Sequence, residues 1–345
     1  MAEPRHVPEI PGASENPEAA RGSGGSPRPR IAELDALRGF AICGIMVVNT
    51  WQHTRVATET IVDTPVDQVI GVLLEARFYP IFSLLFGVGF VLFLDSAAAR
   101  TGHPRLALLM RLVVLACFGA LHQLINPGEV LLPYAAFGIA LLLPLSYLPR
   151  WAALAAGLAG VAGAVWLRDP WLLIAGLFPL GMAVVRYRPS PRLLLPAFLG
   201  SAVLGAAATW WWLQVRADPA AWSLDPYAVR LLAAVPSAVA YATGVLLLAR
   251  ASRAVSAVLE PLGRMALTNY LSSTVLILAA LPVLTADATR WSVVVFAFAV
   301  LAVQGVFGHW WLRTHRYGPL EWIWRCATWW RITPNIRSAE RTGGQ

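Results

Sequence analysis

The chain contains no lysine: all 27 of its basic residues are arginine, set against 19 acidic ones. That one-sidedness matches a GC-rich genome, and no function follows from it. Charge of either sign is scarce, at 13% of residues, whereas 57% are hydrophobic, 15 are tryptophan and the mean hydropathy is +0.60. This excludes an ordinary soluble domain and implies a polytopic membrane protein. Cysteine is nearly missing as well. Cys43, Cys117 and Cys326 lie far apart with no C-x-x-C or Cys/His ligand spacing, which excludes a disulfide framework and a zinc site. The net charge of +8 is not gathered on one face but scattered between apolar segments, so nucleic acid is excluded and anionic membrane lipid is the expected partner. Residues 1–30 lack the apolar core of a signal peptide, and their Pro, Gly, Ser and Glu content reads as a disordered cytoplasmic tail.

What the chain does have is long apolar runs. A helix needs about 20 mostly apolar residues to cross ~30 Å of hydrocarbon. Segments at 34–52, 76–95, 106–125, 130–148, 151–167, 170–186, 192–214, 228–249, 264–284 and 291–312 qualify, giving an all-α bundle of about ten transmembrane helices. Short turns with helix breakers, such as Asn126-Pro127-Gly128, make consecutive helices antiparallel. Arginine-rich short loops stay cytoplasmic. Placing both termini inside leaves only Arg55, Arg77, Arg168, Arg216, Arg230 and Arg290 outside, beside acidic residues that include Glu59, Asp63, Asp67 and Asp225. The expected organisation is a tail at 1–30, a transmembrane domain at 31–315, an interfacial amphipathic helix at 316–331 and a cytoplasmic tail at 332–345. In that last helix Glu321 and Arg325 stand at i and i+4, the spacing of a surface ion pair.

A charged side chain deep in a bilayer costs ~2.5 to 3.5 kcal/mol, so polar groups inside apolar runs should face protein or water. Asp35, Arg38 and Asn49 form a stripe on the first segment with Ile42 and Ile45, and Gly39 and Gly44 offer small surfaces for helix approach. Asp35 and Arg38 can be a headgroup-level ion pair or the floor of a pocket for a phosphate-bearing donor. The second segment carries Glu75 and Arg77 at its outer end and Pro80 as an expected break. His122 closes the third segment and Glu129 opens the fourth across the Asn-Pro-Gly turn, which makes them the best acid/base pair in the chain. His53 is expected in the first outer loop. Arg264, Thr268, Asn269 and Tyr270 open the ninth segment, Arg264 and Thr268 on one face, as a structural polar knot or as lining of the same inner vestibule as Arg38.

Together, LDALRGFAICGIMVVN, ARFYPIFSLLFGVGF, LHQL followed by GEVLLPYA, GRMALTNYLSS and YGPLEWIWR resemble the YeiB-like family of bacterial multipass membrane proteins, a domain of unknown function. The LDxLRG opening is also similar to the transmembrane acyltransferase group, which includes heparan glucosaminide acetyltransferases and bacterial sugar O-acyltransferases. The resemblance implies a bacterial inner-membrane enzyme that moves an acyl group from a cytoplasmic thioester such as acyl-CoA to a small-molecule, lipid or glycan acceptor outside. No bound cofactor or metal is implied. It assigns Asp35, Arg38, Asn49, Arg77, Asn269 and Tyr270 to family motifs, and His122 to the family's histidine before the hairpin turn. Glu129 stands where the family commonly has aspartate, and Asn126-Pro127 where an aromatic is usual. Arg264 joins Arg38 at the expected donor end. A transporter that uses the same polar groups as a solute path, and a non-enzymatic scaffold, stay open as alternatives.

Overall fold

A computed structural model describes residues 29–58 and 63–337; the expected tail at 1–30, Glu59 and the end of the 332–345 tail lie almost wholly outside them. The chain is an all-α polytopic bundle; among the described residues there is no sheet, and nine helices are long and apolar enough to cross a membrane. In chain order the helices are α1 Pro29–Ala57, α2 Pro65–Val69, α3 Phe78–Ala98, α4 Pro104–Gln123, α5 Leu131–Leu145, α6 Arg150–Leu167, α7 Pro170–Tyr187, α8 Leu194–Ala217, α9 Pro226–Ala251, α10 Arg253–Arg264, α11 Ala266–Ala286, α12 Trp291–Thr314 and α13 Pro319–Trp329. Every expected segment is a helix. The exception in length is α5, whose ~22 Å at 1.5 Å per residue falls short of the hydrocarbon thickness and which contains a π turn at Gly138–Leu142.

Polar contacts sort the loops into two ends. At one end Arg105 donates to Ser146 Oγ at 3.0 Å, Arg186 to the Leu148 carbonyl at 3.0 Å, Arg250 pairs with Glu33 at 2.8 Å, and Arg264 donates to the Arg316 carbonyl at 3.2 Å. At the other, Arg55 and Arg216 both reach Asp63, Arg290 donates to Thr58, Arg168 meets Asp225 and Arg230 meets Glu75. The short α5 runs from the second end, where Asn126 meets His53, to the first, at Ser146. Among the described residues the chain therefore passes between the ends ten times, and residues near 33 and 316–337 share the arginine-rich end.

α1 is the hub, packed by α3, α9, α10, α11 and α12. Two glycines make its tightest crossing possible: a Cβ on Gly39 would strike the Leu259 carbonyl of α10, and one on Gly263 would strike the Asp35 carbonyl of α1. Gly44 lies against the Phe78 ring.

Local expectations change in several places. The break before α3 is not at Pro80, which fits in the first turn where backbone N–H groups have no helical partner. It comes earlier, after the π turn Ile70–Leu74, where Ala76 takes a left-handed conformation at φ 61°. Arg264 and Thr268 are not on one helix, because the chain breaks at Met265 between α10 and α11. α10 itself, strongly amphipathic and packed against α1, has no counterpart among the apolar runs. Glu321 and Arg325 form no ion pair: the Glu321 carboxylate turns inward to the α11 N-terminus.

Candidate functional site

A cavity of about 970 Å³ runs along the bundle between α1, α3, α4, α5, α11 and α13. Its lining reaches from Asp35, Arg38, Glu260 and Arg264 at the arginine-rich end to Asn49, Gln52, Glu75 and Arg230 at the opposite end. The stripe foreseen on α1 is thus one wall: Asp35, Arg38, Ile42, Ile45 and Asn49 all face it.

The arginine-rich mouth is strongly positive. Arg38 pairs with Asp35 at 2.6 Å and Arg264 with Glu260 at 3.7 Å. Arg111, Arg316, Arg325 and Arg337 also line the cavity, yet among the described residues none has a carboxylate within 4.0 Å. Arg111 is held flat, with its guanidinium carbon 3.7 Å from the Trp324 ring centre and 4.8 Å from that of Phe93, while Trp324 Nε1 donates to the Arg111 carbonyl at 2.8 Å. Such stacking fixes a cation without neutralising it, leaving its N–H fork free for an oxyanion.

α13 closes this mouth. Glu321 Oε1 accepts from the Leu267 and Thr268 backbone N–H groups at 2.7 and 3.0 Å, and Oε2 accepts from the Thr268 hydroxyl at 2.6 Å. It is a remote cap on the first turn of α11. Burial nevertheless raises its pKa above the ordinary glutamate range.

The middle of the cavity is apolar and aromatic, with Phe82, Phe86, Phe90 and Leu115 around Tyr134, whose hydroxyl shares a 2.7 Å bond with Ser83. At the far mouth Trp171, Tyr79 and Tyr227 join Glu75 and Arg230, which pair at 3.0 Å.

His122 and Glu129 come together across the turn, Nδ1 to Oε2 at 3.5 Å, both buried. They do not line the cavity. Glu129 also accepts from the Leu131 and Leu132 N–H groups at 2.7 and 2.6 Å, capping α5. His122 Nε2 has no partner among the described residues, and its ring lies edge-on to Tyr270, 5.3 Å between centres. Tyr270 does line the cavity and so stands as the wall in front of His122. His53 belongs to α1, not to a loop, and bridges the Asn49 carbonyl and Asn126 Oδ1 at 2.8 and 3.0 Å.

Two further assigned positions lie off the lining. Asn269 is buried in a knot in which its amide donates to the Leu262 carbonyl and its own carbonyl accepts from Gln304 and Ser273, tying α10, α11 and α12. Arg77 is sealed behind Ala76 and donates to Thr209 at 2.9 Å. Sequence reasoning missed Arg111, Arg230, Arg316 and Arg337 as cavity residues. For Arg111 a signal existed, namely a charge in the middle of the 106–125 apolar run. Among the described residues no cluster of His, Cys, Asp and Glu could hold a metal ion.

A family model described as protein of unknown function (DUF418) matches residues 181–331. The chain is 33% identical to the uncharacterized 39.9 kDa protein in the amylase 3'region of Bacillus acidopullulyticus, over 90% of this chain and 97% of that one. It is 26% identical to the uncharacterized protein YxaH of Bacillus subtilis (strain 168), over 87% of this chain and 94% of that one. No solved structure matches it.

Proposed function

Because the chain belongs to the DUF418 family of multi-pass membrane proteins, whose relatives leave the activity open, we propose from its cavity that it is a membrane-embedded acyltransferase. The observation that carries this reading is one continuous cavity with a cationic mouth, an apolar waist and a mixed polar far mouth. A thioester donor such as acyl-CoA has the matching order: a phosphate-rich head for Arg38, Arg111, Arg264 and Arg316, and an acyl chain for the aromatic waist. The arginine-rich end is then cytoplasmic in a bacterial inner membrane, in keeping with the arginine bias. The likeness of the first-helix opening to the transmembrane acyltransferase group points the same way.

In the reaction His122 takes the proton of the acceptor hydroxyl or amine on Nε2 while Glu129 holds Nδ1. The acceptor atom bonds to the thioester carbonyl carbon, the C–S bond breaks, and the proton held on His122 Nε2 passes to the departing thiolate, restoring the base. The ring of Tyr270 swings aside to admit the acceptor to His122. Purified protein in detergent should transfer label from acyl-CoA to acceptors in a membrane extract. His122→Ala should lose at least ~100-fold, the usual weight of a general base, while the chain still folds and inserts. Full activity in that variant, or no consumption of any acyl-CoA by the wild type, rejects the reading.

The lining also reaches both ends, which favours a second reading as a path for an anionic amphiphile. That reading requires a sealed vesicle and a gradient, whereas transfer proceeds in detergent.

A further inference from the structure

The mouth opposite the arginine-rich end holds a second, smaller set of charges. Glu75 and Arg230 line it together with Tyr79, Tyr227 and Trp171, and the Arg230 guanidinium stands 5.0 Å from the Tyr227 ring centre. Arg77 lies immediately behind this wall, 2% exposed. Two guanidinium groups are thus set against one carboxylate. Among the described residues Arg77 has no carboxylate within 4.0 Å, so the Arg230–Glu75 pair leaves a net positive charge. Several donors here have no acceptor: Arg77 Nη1, Arg230 Nε and the Tyr79 hydroxyl are all buried and unpartnered. In a low-dielectric wall, unpaired cationic donors are expensive unless something compensates them.

The backbone at this mouth is strained too. Ala76, itself a lining residue, is left-handed at φ 61°, a conformation that disfavours a Cβ. That turn sends Glu75 into the cavity and Arg77 behind it. Strain of this kind persists where surrounding structure holds it, and it clusters at ligand sites.

We propose that this mouth is an acceptor subsite that takes a phosphate ester, with the receiving hydroxyl on the same molecule. Only the role of the occupant as acyl acceptor rests on the acyl-transfer reading; the subsite itself rests on the charges and donors just described. A phosphate offers several oxygens to the Arg230 guanidinium and the Tyr79 hydroxyl where a carboxylate offers two, and its negative charge balances the excess left by Arg77 behind the wall. On binding, Arg230 turns from Glu75 to the phosphate, Trp171 and Tyr227 flank the rest of the molecule, and the hydroxyl points toward the waist.

The test is calorimetric titration of the full chain in detergent, with coenzyme A in excess to fill the arginine-rich mouth. The probes are glycerol 3-phosphate, dioctanoyl phosphatidylglycerol and, as neutral counterparts, glycerol and dioctanoylglycerol. A phosphate probe should bind roughly tenfold or more tightly than its neutral counterpart, the weight of one charge-assisted hydrogen bond. The pair in which that preference shows identifies a soluble ester or a lipid headgroup as the source. Arg230→Gln should lose the preference, Arg230→Lys should keep part of it, and Glu75→Gln should tighten binding by freeing Arg230. A merely structural ion pair predicts the reverse for Glu75→Gln. No preference for phosphate in either pair, or a preference indifferent to both Arg230→Gln and Glu75→Gln, overturns the proposal. No thioester donor is present in these titrations. A chain that binds phosphate here in an Arg230-dependent way and yet leaves acyl-CoA intact keeps the subsite and loses only the acyl-transfer reading.

Discussion

Glu321 fastens the closing helix, and its removal can be worked through in numbers. One carboxylate oxygen serves the Leu267 and Thr268 N–H groups and the other the Thr268 hydroxyl, which also accepts from Leu320 N at 3.1 Å. The two N–H groups belong to the first turn of α11 and have no helical acceptor. Glu321→Ala leaves both without a partner, at about 1–3 kcal/mol each. Relief of the carboxylate's own desolvation offsets part of this, so docking of α13 should weaken by ~2 to 4 kcal/mol. Burial raises the folded-state pKa above the unfolded value. The contribution of this group is therefore fully present below the ordinary glutamate range, and it is lost as pH rises through the raised folded value. The protonated form suits the site: Oε1 keeps both N–H groups while the acid proton turns to the Thr268 hydroxyl. The side-chain amide of the Glu321→Gln variant repeats that pattern, so this variant should dock firmly at every pH. Hydrogen–deuterium protection factors for residues 319–329 in detergent, corrected for intrinsic rates between about pH 4.5 and 8, read the local opening energy directly. Protection in Glu321→Ala equal to wild type, or a Glu321→Gln variant as loose as Glu321→Ala, would refute the reasoning.

Two further outcomes follow from backbone geometry. Gly39→Val should lower stability by at least ~1–3 kcal/mol, because its Cβ meets the α10 main chain, which cannot yield as a flexible side chain would; the thermal midpoint in detergent should drop clearly, while Gly71→Ala, with open space around it, should leave it unchanged. Ala76→Gly should raise the midpoint slightly, since relief of ~1–2 kcal/mol of left-handed strain exceeds the ~0.5–1 kcal/mol entropy cost of glycine. A lowered midpoint there would mean that Ala76 is held by packing and not strained.

The helices and the α1 wall of the cavity were legible because both are carried by period alone: apolar runs of span length, and Asp35, Arg38 and Asn49 at helical spacing. The turn that joins His122 to Glu129 was legible because Asn126-Pro127-Gly128 permits only a short hairpin. Other features depend on contacts between distant segments. That Glu321 caps α11 and does not pair with Arg325 is decided by 53 and 54 residues of sequence separation, which local i, i+4 reasoning does not reach. Asn269 reads from sequence as a polar residue near a mouth, but Gln304 and the Leu262 carbonyl claim it, and neither lies on its own helix. Arg316 and Arg337 look like tail charges until the chain beyond α12 folds back beside Tyr317, where Arg316 N bonds to the Asn335 carbonyl at 2.7 Å.

The irregular backbone of this protein argues for a hydrated cavity without any appeal to charge. In hydrocarbon, a helix that widens into a π turn or breaks into a left-handed residue misaligns N–H and C=O groups that lipid cannot satisfy, so such features survive only inside protein or beside water. Here the first π turn and the left-handed Ala76 border the cavity. The π turn Ile70–Leu74 ends on Leu74, and the break continues through Glu75 and Ala76; all three line the cavity. α5, which contains the second π turn, contributes Leu131 and Tyr134 to the same wall. Long lipid-facing helices such as α8 and α12 are regular throughout. The strained turn at Ala76 and the Arg230 guanidinium thus share one mouth of this space, and Arg38 and Arg111 line its other end. Filling the arginine-rich mouth, by Gly89→Leu beside the Arg38 guanidinium, should therefore disturb acyl-CoA consumption well before it disturbs folding.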